Sequence, residues 1–146
     1  TLTQHALEQG LRNPKLGPQY STLMTQIGVV GKLIAAQVRR AGLIEIWGST
    51  GETNVQGERV QKLDQIANDT MVAVLRRSGC VNVMASEEAD ELIAVNDEER
   101  GDFNVVFDPL DGSSNIDVSI SIGTIFGIYP KLDNDEGGDE GNYGVE

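Results

Sequence analysis

Two acids with chemical potential, Asp108 and Asp111, lie in the string Val105-Val106-Phe107-Asp108-Pro109-Leu110-Asp111-Gly112-Ser113-Ser114-Asn115. The β-branched and aromatic residues Val105 to Phe107 predict a buried strand. Pro109 has no N–H to give a ladder, so the strand is expected to end at Asp108. On the tight turn that follows, both carboxylates can converge on one point, where they repel unless a cation lies between them. Oxygen-only ligands favour a hard ion: Mg²⁺, Mn²⁺ or Ca²⁺. Gly112-Ser113-Ser114 adds backbone N–H groups and two hydroxyls, which suit a phosphate. Metal-binding carboxylates beside an anion cradle imply metal-assisted phosphoryl chemistry. Without the acids upstream, Asp-Gly-Ser would read as an ordinary turn with surface serines.

Two further sites carry acids in informative places. With side chains advancing about 100° per residue, Val60, Leu63, Ala67, Met71, Val74 and Leu75 form one apolar stripe on a predicted helix. Asp64 falls inside it, roughly 40° from Val60. A carboxylate buried there needs a hydrogen-bond or charge partner, or else carries a raised pKa suited to proton handling. A structural carboxylate capping a neighbouring backbone group fits the same geometry. Ser86-Glu87-Glu88 closes a short apolar segment and puts paired acids at a strand end. Successive side chains in an extended segment point opposite ways. Glu87 and Glu88 are therefore expected to differ in role, one on metal and one reaching a water.

The elements that must carry these residues can be read along the chain. Thr1 to Gly10 predicts a short helix capped by Thr1 or Thr3. Arg12 to Gln19 is a connector broken by Asn13-Pro14 and Gly17-Pro18. Ser21 caps a longer helix with the stripe Leu23, Ile27, Val30, Ile34 and Val38, stopped by Gly42. Gly28 and Gly31 on it predict close packing of another helix or subunit. Leu43 to Gln56 reads as a loop or weak strand and a candidate mobile segment. A third helix runs from Glu58 to Ser78 and ends at Gly79. Val81 to Ala85, Leu92 to Val95 and Phe103 to Phe107 are strands, with a charged turn over Asn96 to Asp102. Ile116 to Tyr129 is apolar and β-rich. Lys131 to Glu146 is poor in hydrophobics and rich in Asp, Glu and Gly, and is expected to be a mobile acidic loop.

Charge and composition narrow the function. The 146 residues suffice for one domain with a real core. A formal net charge of −12 argues against a nucleic-acid surface. Residues 85–111 hold ten acids against one base, Arg100, so an anionic substrate can approach only if cations reverse the local sign. The single cysteine, Cys80, excludes an internal disulfide and a Cys-based zinc site. It reads as a small buried thiol. His5, the only histidine, has no evident partner for catalysis. No signal peptide and no apolar run long enough for a bilayer are seen, so a soluble intracellular protein is expected.

At this point the sequence resembles class I fructose-1,6-bisphosphatase, within the inositol-monophosphatase-like, metal-dependent phosphatase superfamily. Asp108-Pro109-Leu110-Asp111-Gly112-Ser113 matches the superfamily's acidic signature. Phe107 to Asp117, followed by Gly123-Thr124-Ile125-Phe126-Gly127-Ile128-Tyr129, matches the narrower family. Ala85-Ser86-Glu87-Glu88, Lys62-Leu63-Asp64, Asn54-Val55-Gln56-Gly57, Thr1-Leu2-Thr3 and Arg39-Arg40-Ala41-Gly42 also fit.

The resemblance implies an α+β fold, a layered α/β/α sandwich with a mixed sheet and N-terminal helices. It implies hydrolysis of the 1-phosphate of fructose 1,6-bisphosphate to fructose 6-phosphate and phosphate, in gluconeogenesis or the Calvin cycle. The cofactor would be Mg²⁺ or Mn²⁺, about two to three ions per site. Carried over by position, Glu58, Glu87, Asp108, the Leu110 carbonyl and Asp111 would hold metal. Asp111, Gly112, Ser113 and Ser114 would hold the 1-phosphate. Glu88, with Asp64, would activate the attacking water. A homotetramer in the cytoplasm, or alternatively the plastid stroma, is expected, without nucleic-acid or membrane partners.

Family chains are considerably longer. Residues 1–130 are therefore expected to be the N-terminal, metal-site and regulatory half of the domain, with 131–146 the acidic loop. The C-terminal substrate half, a further metal carboxylate and a neighbouring subunit's arginine would lie outside this chain. Gly17-Pro18-Gln19-Tyr20-Ser21 and Asp102-Phe103 depart from the family's AMP site, so weak AMP inhibition is expected. The acidic loop holds no cysteine, so thiol regulation is unsupported. Competing readings are a related sugar or inositol phosphatase, such as a sedoheptulose bisphosphatase, and a non-catalytic metal-binding module.

Overall fold

The computed structural model describes residues 1–14, 17–48, 53–118 and 121–132, without the side chains of 41–48, 53–59, 117 and 118. Three helices precede a mixed four-stranded sheet: α1 (Leu2–Arg12), α2 (Gly17–Gly48), α3 (Thr53–Arg76), β1 (Val81–Ser86), β2 (Ile93–Ala94), β3 (Phe103–Asp111) and β4 (Gly123–Pro130). Short 3₁₀ turns cover Asp97–Glu99 and Ser113–Val118. The fold is α+β and layered, as expected.

The helices begin and end differently from the sequence reading. Thr1 caps α1, its hydroxyl accepting from the Gln4 N–H at 3.2 Å, and the helix continues past Gly10 to Arg12. α2 starts at Gly17, ahead of Ser21. Pro18 is tolerated there because first-turn N–H groups have no intrahelical partner. α2 also runs through Gly42 to Gly48, so Leu43 to Gly48 is helix and not loop or weak strand. An interior glycine costs only about 1 kcal/mol, which neighbouring turns can outweigh. α3 likewise begins at Thr53, ahead of Glu58, and closes at Arg76.

α1 packs back along α2 as an antiparallel pair. A Cβ at Gly28 would stand 3.2 Å from Leu2 Cδ2, and one at Gly10 would stand 3.7 Å from Ser21 Oγ. The expected close approach therefore holds at Gly28. At Gly31 nothing else in the chain lies within 4 Å among the described residues.

The sheet order is β2-β1-β3-β4, with β1 and β3 parallel and the other pairs antiparallel. Alternation in β3 sends Phe103, Val105 and Phe107 inward, where they meet Leu23, Ile27, Val30 and Ile34 of α2 and Ala67, Met71 and Leu75 of α3. Side chains on the other face include Val106, Ile125 and Tyr129, which are 41 %, 58 % and 56 % exposed.

Pro109 does not end β3. The strand continues to Asp111, and the pairing with β4 slips between Asp108 and Asp111. A bulge absorbs the missing donor, and the Thr124 hydroxyl pins it by donating to the Pro109 carbonyl at 3.0 Å. Ile116 to Val118 belong to a 3₁₀ turn, so β4 is confined to Gly123–Pro130 and does not fill the whole of 116–129. The acidic loop beyond Leu132 lies outside the described residues.

Candidate active site

The parallel pairing of β1 and β3 brings distant acids together. Ser86 stands opposite Phe107. The next residues, Glu87 just past β1 and Asp108 still within β3, therefore come side by side at the carboxyl end of β1, and the Glu87 N–H donates to the Phe107 carbonyl at 3.0 Å. Carboxyl ends of neighbouring parallel strands are where open α/β sheets bind ligands.

α3 reaches the same place by simple geometry. Gly79, with φ +67°, turns the chain from α3 back into β1. Eight residues back along α3, from Arg76 to Asn68, cover about 12 Å. Five steps of β1, from Val81 to Ser86, cover about 16 Å. The two runs end side by side, and the Ser86 hydroxyl donates to Asn68 Oδ1 at 2.7 Å. Asp64 lies one helical turn further along.

The charges crowd one another. Burial pushes the Asp64 carboxyl up, and Asp108 and Glu87 add to the rise, while the Ser113 hydroxyl offsets part of it. Asp64 Oδ1 is buried with no hydrogen-bond partner. Glu88 is also raised, first by desolvation, then by Asp64, Glu87 and Asp108. Four carboxylates from α3, β1 and β3 thus share one electrostatic neighbourhood, and no Lys or Arg is among the groups acting on Asp64 or Glu88. Asp64 lacks the protein partner at Oδ1 that its place on the stripe called for.

Beyond the bulge the backbone turns sharply. The Leu110 N–H donates to Asp108 Oδ1 at 3.0 Å, which holds that carboxylate against the turn. Gly112 has φ +81°, a conformation that a side chain would strain. Its carbonyl accepts the Asn115 N–H at 2.9 Å, opening the 3₁₀ turn that carries Ser113 and Ser114. Ser113 reaches Asp64, so the small-residue turn and the acidic group are contiguous. Asp111 is exposed beside the first residue of β4 and is not among the charges acting on Asp64 or Glu88. The Glu58 side chain lies outside the described residues. A groove of about 360 Å³ borders the acids, lined in part by Glu87, Asp108, Phe107 and Ile125.

This donor set suits a hard divalent cation: the donors are carboxylates, they repel, and one buried oxygen is orphaned. Among the described residues no three of these side chains close into a ready ligand group. Glu87 and Glu88 are both exposed, and a side-chain hydrogen bond between them adds to the rise at Glu88.

Two residues at the site were not singled out from the sequence. Asn68 is buried on α3 and bonded to Ser86, and Thr124 holds the bulge. Asn68 was detectable in principle, because it follows Asp64 by one turn on the rim of the same apolar stripe. Thr124 had no local signal, since its partner lies across the sheet. Cys80 is buried and its thiol is pushed up by desolvation, in keeping with a packing role. His5 is exposed. No helix among the described residues is long and apolar enough to cross a membrane.

Comparison with known proteins gives a consistent result. The profile of the fructose-1-6-bisphosphatase N-terminal domain matches residues 1–143. A fructose-1,6-bisphosphatase class 1 from Sorangium cellulosum is 48 % identical over 143 residues, covering 98 % of this chain and 41 % of its own. Its counterpart from Nitratidesulfovibrio vulgaris is 48 % identical over 132 residues, covering 90 % and 39 %. The crystal structure of Leishmania major fructose-1,6-bisphosphatase in apo form superposes with a TM-score of 0.71 at 33 % identity, over 95 % of this chain and 39 % of that one. The chain thus spans about two fifths of the length of the curated relatives it matches. It belongs to the fructose-1,6-bisphosphatase family, matching that family's N-terminal domain.

Proposed function

We propose that the polypeptide carrying this domain hydrolyses the 1-phosphate of fructose 1,6-bisphosphate to fructose 6-phosphate and phosphate, with Mg²⁺ or Mn²⁺. The observation that supports this most is the placement of Asp64, Glu87, Glu88 and Asp108 in one neighbourhood, contiguous through Ser113 with the Gly112-Ser113-Ser114 turn. Glu58, Glu87, Asp108, the Leu110 carbonyl and Asp111 are the proposed metal ligands. Bound cations would neutralise phosphate charge and lower the pKa of a bound water.

The chain's own groups would do the rest. Asp111 and the N–H and hydroxyl groups of Gly112, Ser113 and Ser114 orient the phosphate so that its scissile bond faces the acids. Glu88 and Asp64 accept the proton of the attacking water. Their raised pKa values make them stronger bases than ordinary carboxylates. The Ser113 hydroxyl, carried by the turn and bonded to Asp64, would tie proton acceptance to phosphate position.

Phosphate release from fructose 1,6-bisphosphate, with and without Mg²⁺, tests the reading on the full-length protein. Metal-dependent release that is abolished in Asp108→Asn is the expected result. Inactivity with metal present, or activity that survives the substitution, refutes it. Faster turnover of sedoheptulose 1,7-bisphosphate would move the assignment to that substrate. A cytoplasmic homotetramer is proposed in addition. The exposed Leu7, Leu11, Val29 and Leu33 on the α1–α2 pair supply apolar surface for association, and light scattering gives the mass.

A further inference from the structure

We infer that Asn68 and Ser86 form a positioning strut that sets the spacing between Asp64 and Glu88. Each is 8 % exposed, and they are the buried polar side chains among the described residues. Around them the core is apolar: Ala67 precedes Asn68 and Met71 lies one turn on along α3, and Met84 stands two residues before Ser86 on β1. A polar pair in such a place gains little stability over an apolar pair of the same shape. Its geometry points to another use.

The Ser86 hydroxyl works in two directions. It donates to Asn68 Oδ1 at 2.7 Å and accepts the backbone N–H of Glu88 at 3.3 Å. One oxygen thereby joins the backbone of the residue proposed as base to a side chain on α3. Asn68 sits one helical turn from Asp64, so helix geometry passes the constraint on to the second proposed base. Hydrogen bonds chained through one hydroxyl also reinforce each other. α3 and β1 are held together elsewhere by side chains that can slide. Among the described residues the strut is the side-chain hydrogen bond between α3 and β1, and it lies one turn behind Asp64 and two residues before Glu88.

The inference rests on the phosphatase reading, and its test separates the two. In the full-length protein, Ser86→Ala and the double variant Asn68→Leu/Ser86→Ala are compared with wild type. Thermal unfolding, kcat and KM for fructose 1,6-bisphosphate, and Mn²⁺ affinity by electron paramagnetic resonance are measured. Ser86→Ala orphans Asn68 and loses stability. The double variant removes the Asn68 orphan as well, leaves the N–H of the exposed Glu88 to water, and recovers most of the lost unfolding temperature. A positioning role predicts that kcat nevertheless stays roughly 10- to 100-fold down with KM little changed, since small misplacements cost that much. Mn²⁺ affinity should fall about tenfold, as when other groups that orient ligands are lost. Ser86→Thr, which keeps the hydroxyl, should restore kcat towards wild type. Recovery of kcat and Mn²⁺ affinity together with stability in the double variant overturns the strut and leaves the phosphatase reading standing. A wild type that binds Mn²⁺, weakens on loss of Ser86, and releases no phosphate overturns the phosphatase reading and leaves the strut standing.

Discussion

Asp64→Asn should make the metal-free protein more stable while disabling it. Asp64 has a buried oxygen without a partner, and its carboxyl is raised by burial and by Asp108 and Glu87. An orphaned buried acceptor costs about 1–3 kcal/mol. Asp64 is only half-buried, so water screens part of the penalty and the gain on neutralising it is about 1 kcal/mol. For a domain of this size that is roughly 2–4 °C in Tm.

The sign follows from linkage. Below its ordinary value of 3.8 the carboxyl is protonated both folded and unfolded, and no penalty exists. As pH climbs from there through the raised folded value, the unfolded state ionises first and stability is lost. Above that window the penalty is complete. The advantage of Asn therefore grows as pH rises through the raised folded value and vanishes below the ordinary value. Saturating Mg²⁺ narrows the gap, because a cation beside the acids offsets the Asp64 charge and, at a hundredfold excess over Kd, adds about 2.7 kcal/mol to a form that binds it. Each tenfold loss of affinity in the variant forfeits about 1.4 kcal/mol of that. Thermal scans in EDTA and in Mg²⁺, at several pH values, measure all of this. An Asn variant less stable than wild type in EDTA at pH 7.5 would refute the reasoning. A gain indifferent to Mg²⁺ would refute its electrostatic origin. Turnover should fall about 10²–10⁴-fold, the range for removing a general base.

The neighbouring groups predict further outcomes. Glu88 is raised in part by Asp108, so Asp108→Asn should lower the Glu88 pKa in metal-free protein; carboxyl-carbon NMR titration reads the shift, and none means the two charges do not communicate. Gly101→Ala would drive a methyl into the Cys80 backbone, which no rotamer change relieves, so a loss of about 1–3 kcal/mol or more is expected. An unchanged urea midpoint would contradict that close approach. AMP should inhibit weakly, because Asp102 presents a carboxylate where its N–H meets Gln19 of the first turn of α2. Micromolar inhibition would overturn this expectation.

How far the residues announced the outcome varies along the chain. The apolar stripes of α2 and α3, the strand at Phe103–Phe107 and the acidic turn after it were all legible, because their signals are local periodicities and short motifs. Asp64 stood out because a charge on an apolar stripe is anomalous wherever the helix packs. Helix ends were less legible. Gly42 and Ser21 looked like punctuation, yet local propensities of about 1 kcal/mol yield to the turns around them. Pro109 misled for a related reason: it forbids one ladder bond, and a bulge with Thr124 behind it supplies a way through.

What could be known from residue order was which groups are chemical: the acids, the glycine that tolerates a tight turn, and the two serines. Their meeting was settled elsewhere, by β1 and β3 running parallel, α3 folding back along β1, and Asn68 closing on Ser86. Those contacts join residues far apart in the chain, so their energies depend on packing and register, which no window of neighbouring residues encodes.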